Sequence, residues 1–530
     1  MIINFLGASY EGRSPNIDAS RSVNLYPELT GTQDNKAQLA LVGTPGLNLF
    51  ATSLDGTANA VRGLYTFNGV MYGVMLNKLY SINSSGVPTV RGTLSTSTGR
   101  ISFSNNGASA NGIGGNQLMM VDGDNGYIYN IVTTTFTTIV SAAGWTDVRS
   151  VGKPKQVEFL DGYFIVSNGT MSYWVSDLWN GLLWSALATA PVSATPDSIK
   201  AVINHRQQIF FIKQWSTEVW SDVGVPTTEG SPLARVPGAV YDFGIASEWS
   251  IAKGGNSFYF LCTQRTNDGG ETVGVAEITE YSPVIISPPA INYKISTSTT
   301  HTNCFGYCYS EQGHMFYVLT NPTDNWTIVY DATTKMWHER SSLSDVTGDV
   351  NRHLSNCYTF ANDKHYVGDY RNGNVYEMSA TYYTDSGLPI FAWRTAQTII
   401  DPNVHNSVFV SKLTVDMETG VGTNSLTVIA VTPYPAGWSG TANVLIKADG
   451  SVTGGASTTG SPNPLAYLSW SNDAGHTWSA EYSASMGTQS AYTTRLMWRR
   501  LGKARDRVFR IAFRDAVKRI VIGAYVEASA

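Results

Sequence analysis

Between about residue 60 and residue 390 the apolar positions fall in short alternating runs, each opened by a turn dipeptide and closed by an aromatic residue. The runs are NGVMYGVMLNKLYSI (68–82), GNQLMMVDGDNGYIYNI (115–131), LDGYFIVSNGTMSYWVS (160–176), NHRQQIFFIKQWSTEVWS (204–221), GNSFYFLCTQ (255–264), GHMFYVLTNPTDNWTIVYD (313–331) and NDKHYVGDYRNGNVYEM (362–378). Their period of roughly 50 residues is that of a propeller blade. A single hairpin of this kind exposes an apolar face it cannot bury, whereas blades stacked around an axis bury every face and leave only short edges. The pattern predicts a β-propeller of six or seven blades over residues 59–389. Helical periodicity is almost absent, and SIKAVINH (198–205) reads equally well as a helical turn or a strand.

The periodicity stops near Tyr382, and a different spacing follows: FAWRTAQTII, SVFVSKLTVDMETG, LTVIAVTP, LAYLSWSNDAGHTW, RLMWRRLG, DRVFRIAFRD and VKRIVIGAYVEA. These strands, interrupted by the Gly/Ser/Thr/Pro-rich GSVTGGASTTGSPNP (450–464), predict a separate C-terminal β-sandwich-like domain, a platform beside the propeller on the resemblance given below, over residues 390–530. Residues 1–58 precede the first hairpin and are expected to dock on the platform or the propeller. The fold class is all-β throughout.

Composition sharpens this picture. Charged residues make up 14% of the 530, with 50 Gly, 28 Tyr and 14 Trp; ordinary soluble proteins carry roughly 25% charge. Low charge and abundant aromatics fit tight-turned β-structure whose surface is widely covered by other subunits. A net charge of −5 implies no global attraction to nucleic acid or membrane. The N-terminus lacks a basic region followed by an apolar one, so no signal peptide is expected, and no apolar run approaches the ~18 residues of a membrane span. Of the four cysteines, Cys304 and Cys308 have near-ligand spacing but no second matched pair, so buried thiols are expected rather than a metal site.

Little in the chain points to catalysis. The eight histidines form no HExxH or HxH pattern, GIGGNQ (112–117) lacks the lysine and helix of a phosphate cradle, and there is no GxSxG elbow. The most motif-like passage is SNDAGHTW, which has the Asp-box spacing found in sialidases and other propellers. Its chemistry is local: Asp473 accepts N–H bonds across the turn, Gly475 supplies a positive φ, Ser471 braces the strand and Trp478 packs beneath. A sialidase would also need clustered arginines and a Tyr–Glu pair, and other glycosidases two opposed carboxylates; the arginines of the blade region are scattered. A sialidase-like glycosidase or a glycan-binding propeller therefore stands only as an alternative, and no catalytic residue, metal site or cofactor is expected.

Residues 499–519, RRLGKARDRVFRIAFRDAVKR, hold nine basic and two acidic residues. In VFRIAFR, alternation puts Val508, Arg510, Ala512 and Arg514 on one face and Phe509, Ile511 and Phe513 on the other. The first face reads either as solvated or as a docking surface for an acidic partner or DNA phosphate.

SVNLYPE followed by a PGL segment, the hairpin repeats, and the C-terminal LSWSNDAGHTWS and TRLMWRRLGKARDRVFRIAFRD together resemble a known family. It is that of the packaged-DNA stabilisation proteins, also called tail hub or nozzle proteins, of short-tailed bacteriophages. The best-matching motif runs from Trp498 to Arg505. The resemblance implies a non-enzymatic virion protein, made in the host cytoplasm, that forms a homo-hexameric ring below the head-to-tail adaptor. The ring would extend the DNA channel and retain the packaged genome until ejection. Tailspikes or tail fibres would attach around it and a needle or gate would close its tip, with double-stranded DNA passing without sequence specificity and no insertion into membrane. On this resemblance Trp498, Arg499, Arg500, Lys503, Arg505, Arg510 and Arg514 are candidates for a subunit or adaptor interface.

Overall fold

The computed structural model describes the chain except residues 1–4, 30–37, 140–142, 267, 345–348, 400–406, 423–461 and 530. The expected strand LTVIAVTP and most of the Gly/Ser/Thr-rich stretch lie outside the described residues.

Seven antiparallel sheets form the blades of a propeller: residues 61–93, 102–138, 156–191, 199–241, 244–285, 305–343, and 355–379 completed by Gly46–Ala51. Each of the seven sequence runs supplies the middle of one blade. The chain reverses there with little room, and in five blades the first turn holds two successive residues at positive φ: Asn68–Gly69, Asp161–Gly162, Arg206–Gln207, Gln312–Gly313 and Asn362–Asp363. That conformation matches the twist of the strands it joins. Innermost strands neighbour one another around the ring, and the last, Ser355–Ala361, meets the first, Val61–Phe67.

Burial follows the same cycle. Seven apolar clusters occupy the seven blade junctions, including the closing one, where Val61, Met71 and Met75 of blade one pack with Tyr366 and Val375 of blade seven. Two short helices that the sequence pattern did not reveal, Ala143–Val151 and Pro289–Ser296, lie between blades; Trp145 and Val148 of the first fill the junction of blades two and three. The segment 198–205 is a strand, Ile199–His205.

Among the described residues, two sets of five strands form the sandwich. One orders Arg21–Val23, Ala392–Thr395, Val508–Phe513, Leu465–Ser471 and Tyr482–Ser485; the other orders Leu25–Leu29, Leu39–Gly43, Ile520–Ser529, Val408–Met417 and Leu496–Ala504. Between them lies an apolar core of Leu25, Leu41, Leu413, Leu468, Trp498, Phe509, Ile511, Phe513 and Val526. The N-terminal residues are thus woven through the molecule: Arg21–Val23 and Leu25–Leu29 enter opposite sheets of the sandwich, and Gly46–Ala51 forms an outer strand of blade seven beside Val375–Ser379. Val23 also bridges in parallel to Glu339 of blade six, which joins that blade to the sandwich.

Candidate assembly surface and central cavity

The Asp-box is a closed turn. Asp473 accepts the Thr477 N–H at 2.8 Å and the Thr477 hydroxyl at 2.6 Å, while Ser471 Oγ, 2.5 Å from the Asp473 carboxylate, accepts the Gly475 N–H at 2.8 Å. Hydrogen bonds from Ser471 and Thr477 hold the Asp473 carboxyl far below the usual carboxylate range. Ala474 and Gly475 take positive φ, and a Cβ on Gly475 would come within 3.0 Å of Ala19. The side chains of Ser471, Asp473 and Thr477 are thus spent on the turn itself. Trp478 is half-buried with the Arg510 guanidinium 4.2 Å above its ring.

The basic segment divides rather than forming one face. On the strand Leu496–Ala504, alternation buries Leu496 and Trp498, and Trp498 donates its indole N–H to the Tyr482 carbonyl at 2.9 Å inside the sandwich core. A bulge follows: Arg500 takes φ 61° and the pairing with Val408–Met417 slips by one residue. The slip hands the inward position to Leu501 and leaves Arg499 and Arg500 both exposed. Lys503 and Arg505 are exposed as well, Arg505 beside Asp506 at 3.0 Å.

Arg510 and Arg514 sit on the other sheet. Arg510 is half-buried and donates to Ser469 Oγ at 3.2 Å; Arg514, buried, lies 4.6 Å over the Tyr467 ring and reaches both oxygens of Glu481 at 2.7 Å. Between them Ala512 packs with Val23, Leu343, Phe391 and Trp393 against blade six. Their face of the strand is therefore a covered seam, not a solvated basic surface. Arg507 and Arg519 are also buried, capping the carbonyls of Leu501 and Ile390.

The outward face of the second sheet carries the accessible part. Register aligns Phe409 with Lys503, Lys412 with Arg499 and Glu527, and Thr414 with Met497 and Tyr525. Lys412 pairs with Glu527, whereas Arg499 and Lys503 face no carboxylate within ion-pair distance among the described residues. Phe409 and Tyr525 are 46% and 43% exposed, so aromatic rings and unpaired cations share one surface. Phe409 and Tyr525 carried no signal in their own strands; only the pairing brings them beside the basic motif.

At the propeller centre a cavity of about 260 Å³ is lined by the inner strands, with Tyr65, Phe103, Trp249, Phe305, Tyr307 and Tyr358 supplying its aromatic wall. Arg100 is the arginine of this lining, and it is committed: its guanidinium lies 3.6 Å from the Phe305 ring centre and donates to the Asn356 carbonyl and side chain. Burial pushes its pKa down to about 9. The carboxylates of the lining, Glu158 and Glu248, are answered by Lys253 at 3.6 Å and Lys155 at 3.7 Å. The arginine cluster that a sialidase uses to hold its substrate carboxylate is not assembled in this cavity. The four cysteines are unpaired thiols, Cys262, Cys304 and Cys308 buried in junction cores, and no group of three or more metal-ligating side chains occurs among the described residues. Among them, too, no helix is long and apolar enough to cross a membrane.

Comparison with known proteins matches both halves. The family model described as bacteriophage P22 Gp10, beta-propeller, covers residues 6–383, and that described as bacteriophage P22 Gp10, beta-sandwich, covers residues 449–529. No curated protein matches the chain. Among solved structures, it is similar to the WD40 β-propeller domain of Doa1 (12% identity, TM-score 0.36, covering 63% of this chain and 97% of that one). It is also similar to the designed protein Ika8 (11%, 0.35, 70% and 99%) and to the Neurospora crassa Pan2 WD40 domain (8%, 0.37, 61% and 89%).

Proposed function

The chain belongs to the bacteriophage P22 Gp10 family of packaged-DNA stabilisation proteins, the tail hubs of short-tailed phages, and from that premise we propose that it forms a hexameric ring beneath the head-to-tail adaptor. The ring extends the DNA channel and retains the genome until ejection, with tailspikes or fibres around it and a needle or gate at its tip. The observation that carries this is the pairing of a propeller match and a sandwich match from one family along one chain.

Physical features support the ring. A central cavity of about 260 Å³, walled by aromatic side chains, is far too small for duplex DNA, whose major groove alone is about 12 Å wide. The DNA path therefore runs between copies, not along a propeller axis. The Phe409, Tyr525, Arg499 and Lys503 surface is the assembly contact: aromatic residues and arginine are enriched at the centres of such interfaces. Passing DNA meets a wall of low charge and slides without sequence preference.

The test is to mix the purified protein with the adaptor-bearing connector ring and image the product. Six-fold density added below the connector is the expected result. A monomer that never joins the connector overturns the proposal.

A further inference from the structure

The outer strand of blade three, Asn180–Pro191, carries a run of exposed leucines: Leu182, Leu183 and Leu187 are 36%, 52% and 60% exposed, with Leu178 in the preceding turn at 49%. Three carboxylates border this edge. Asp177 lies in the same turn, its side chain accepting from the Leu178 N–H at 3.0 Å and from Thr227 Oγ1 at 3.0 Å; the second bond brings the loop after Asp222, with exposed Val223, alongside. Asp161 sits in the adjacent turn, which packs so close that a Cβ on Gly162 would strike Leu178 at 2.6 Å. None of Asp161, Asp177 and Asp222 has a cation within ion-pair distance among the described residues. Repulsion from Asp222 adds to burial in raising the Asp161 carboxyl.

The second sheet of the sandwich offers the opposite: exposed Phe409 and Tyr525 with uncompensated Arg499 and Lys503. The two surfaces also lie far apart on one chain. The sandwich is joined to blade six through Val23 and Glu339, and in a ring of seven blades blade three is as far from blade six as a blade can be. A surface and its complement at opposite ends of a subunit cannot meet within it. They meet head to tail in a second copy, which is the heterologous contact that closes cyclic rings. Pairing of the blade-three edge with itself would instead set aspartates against aspartates.

We propose that the leucine edge of blade three, with Asp161, Asp177 and Asp222, docks on the Phe409/Tyr525/Arg499/Lys503 surface of the neighbouring copy. This rests on the ring reading above and names the two surfaces that make it. Aliphatic side chains fill the space between the aromatic rings, and Arg499 and Lys503 answer the three carboxylates.

Two double variants of the full chain test the pairing: Asp177→Lys with Asp222→Lys, and Arg499→Glu with Lys503→Glu. Each alone is expected to weaken self-association by about tenfold or more, measured by sedimentation. An equimolar mixture is expected to recover it, because one interface is then charge-swapped and the next is native, alternating around the ring. A cross-link between Leu183→Cys in one copy and Phe409→Cys in another is expected from the same geometry and does not depend on charge. Variants that assemble like the parent, or a mixture that does not recover, overturn the pairing; if the parent still builds on the connector, the hub function stands. A parent that assembles neither alone nor on the connector overturns both.

Discussion

The side-chain amide of Asn24 donates to the Ser341 carbonyl at 2.9 Å, and its oxygen accepts the Ser341 N–H at 3.0 Å, a reciprocal pair between residues 317 positions apart. The same amide reaches the Phe391 carbonyl at 2.7 Å, so one buried side chain ties the N-terminal segment, blade six and the connection into the sandwich. Asn24 also holds φ 54°, a conformation that asparagine tolerates better than most residues. Asn24→Gly keeps that backbone and deletes the bonds. It is expected to cost roughly 2–4 kcal/mol, since the partners are left buried and unpaired, read as a lower midpoint in chemical denaturation.

Two carboxylates, half-buried Glu339 and buried Asp385, predict opposite responses to pH. Burial pushes Glu339 up, but Arg21, bonded at 2.7 and 2.9 Å, and Lys294, at 2.8 Å, more than offset it and hold the carboxyl at about 2. Its stabilisation is complete above the ordinary carboxylate range and is lost as pH falls toward 2. Glu339→Gln is expected to flatten that acid limb of the stability curve.

Asp385 behaves in reverse. Burial raises its carboxyl to about 6, and the Ser342 hydroxyl at 2.7 Å with the nearby Arg519 and Arg340 only partly opposes the rise. Its folded pKa exceeds its unfolded one, so the fold loses stability as pH climbs from about 4 through 6. Asp385→Asn is expected to remove this slope and to unfold later than the parent at pH 7, in thermal melts across a pH series.

Arg514 and Glu481 form an ion pair with both side chains 7% exposed. Removing either charge alone, as Arg514→Met or Glu481→Gln, is expected to destabilise the sandwich by about 3–5 kcal/mol. The double variant is expected to recover most of that loss, and a double-mutant cycle in denaturant measures it.

Asp473→Ala removes the acceptor for both Thr477 groups. Earlier unfolding of the sandwich is expected, with no change in glycoside hydrolysis, which is predicted to be at background in parent and variant alike. Turnover of a fluorogenic glycoside by the parent, abolished in this variant, is the opposing result.

The blade hairpins were legible because both strands of each run bury alternate residues against neighbouring blades, which imposes a period of two on the sequence. The Arg206–Gln207 turn shows the limit: its chemistry is ordinary, and only the tight antiparallel pairing around it forces two positive φ values. The strand Gly46–Ala51 has no hairpin pattern of its own because its partner, Val375–Ser379, is more than three hundred residues away. Pairing at that distance leaves no local mark. The same holds for the basic segment: alternation correctly sent Phe509, Ile511 and Phe513 inward, but the bulge at Arg500 and the cover over Arg510 and Arg514 depend on other strands. Trp498, expected at an interface, is held in the core by the alternation of its own strand.

The woven N-terminal strands also set a schedule. Residues 21–29 and 39–51 leave the ribosome more than three hundred residues ahead of their partners at 375–379, 392–395 and 520–529. Blade seven stays unfinished until residues 375–379 are made, and the two sandwich sheets until residues 508–513 and 520–529 are. A chain cut before residue 375 therefore lacks both the strand that joins Gly46–Ala51 to blade seven and the strands that complete the sandwich. Closure of the propeller and completion of the sandwich are thereby tied to the order of translation.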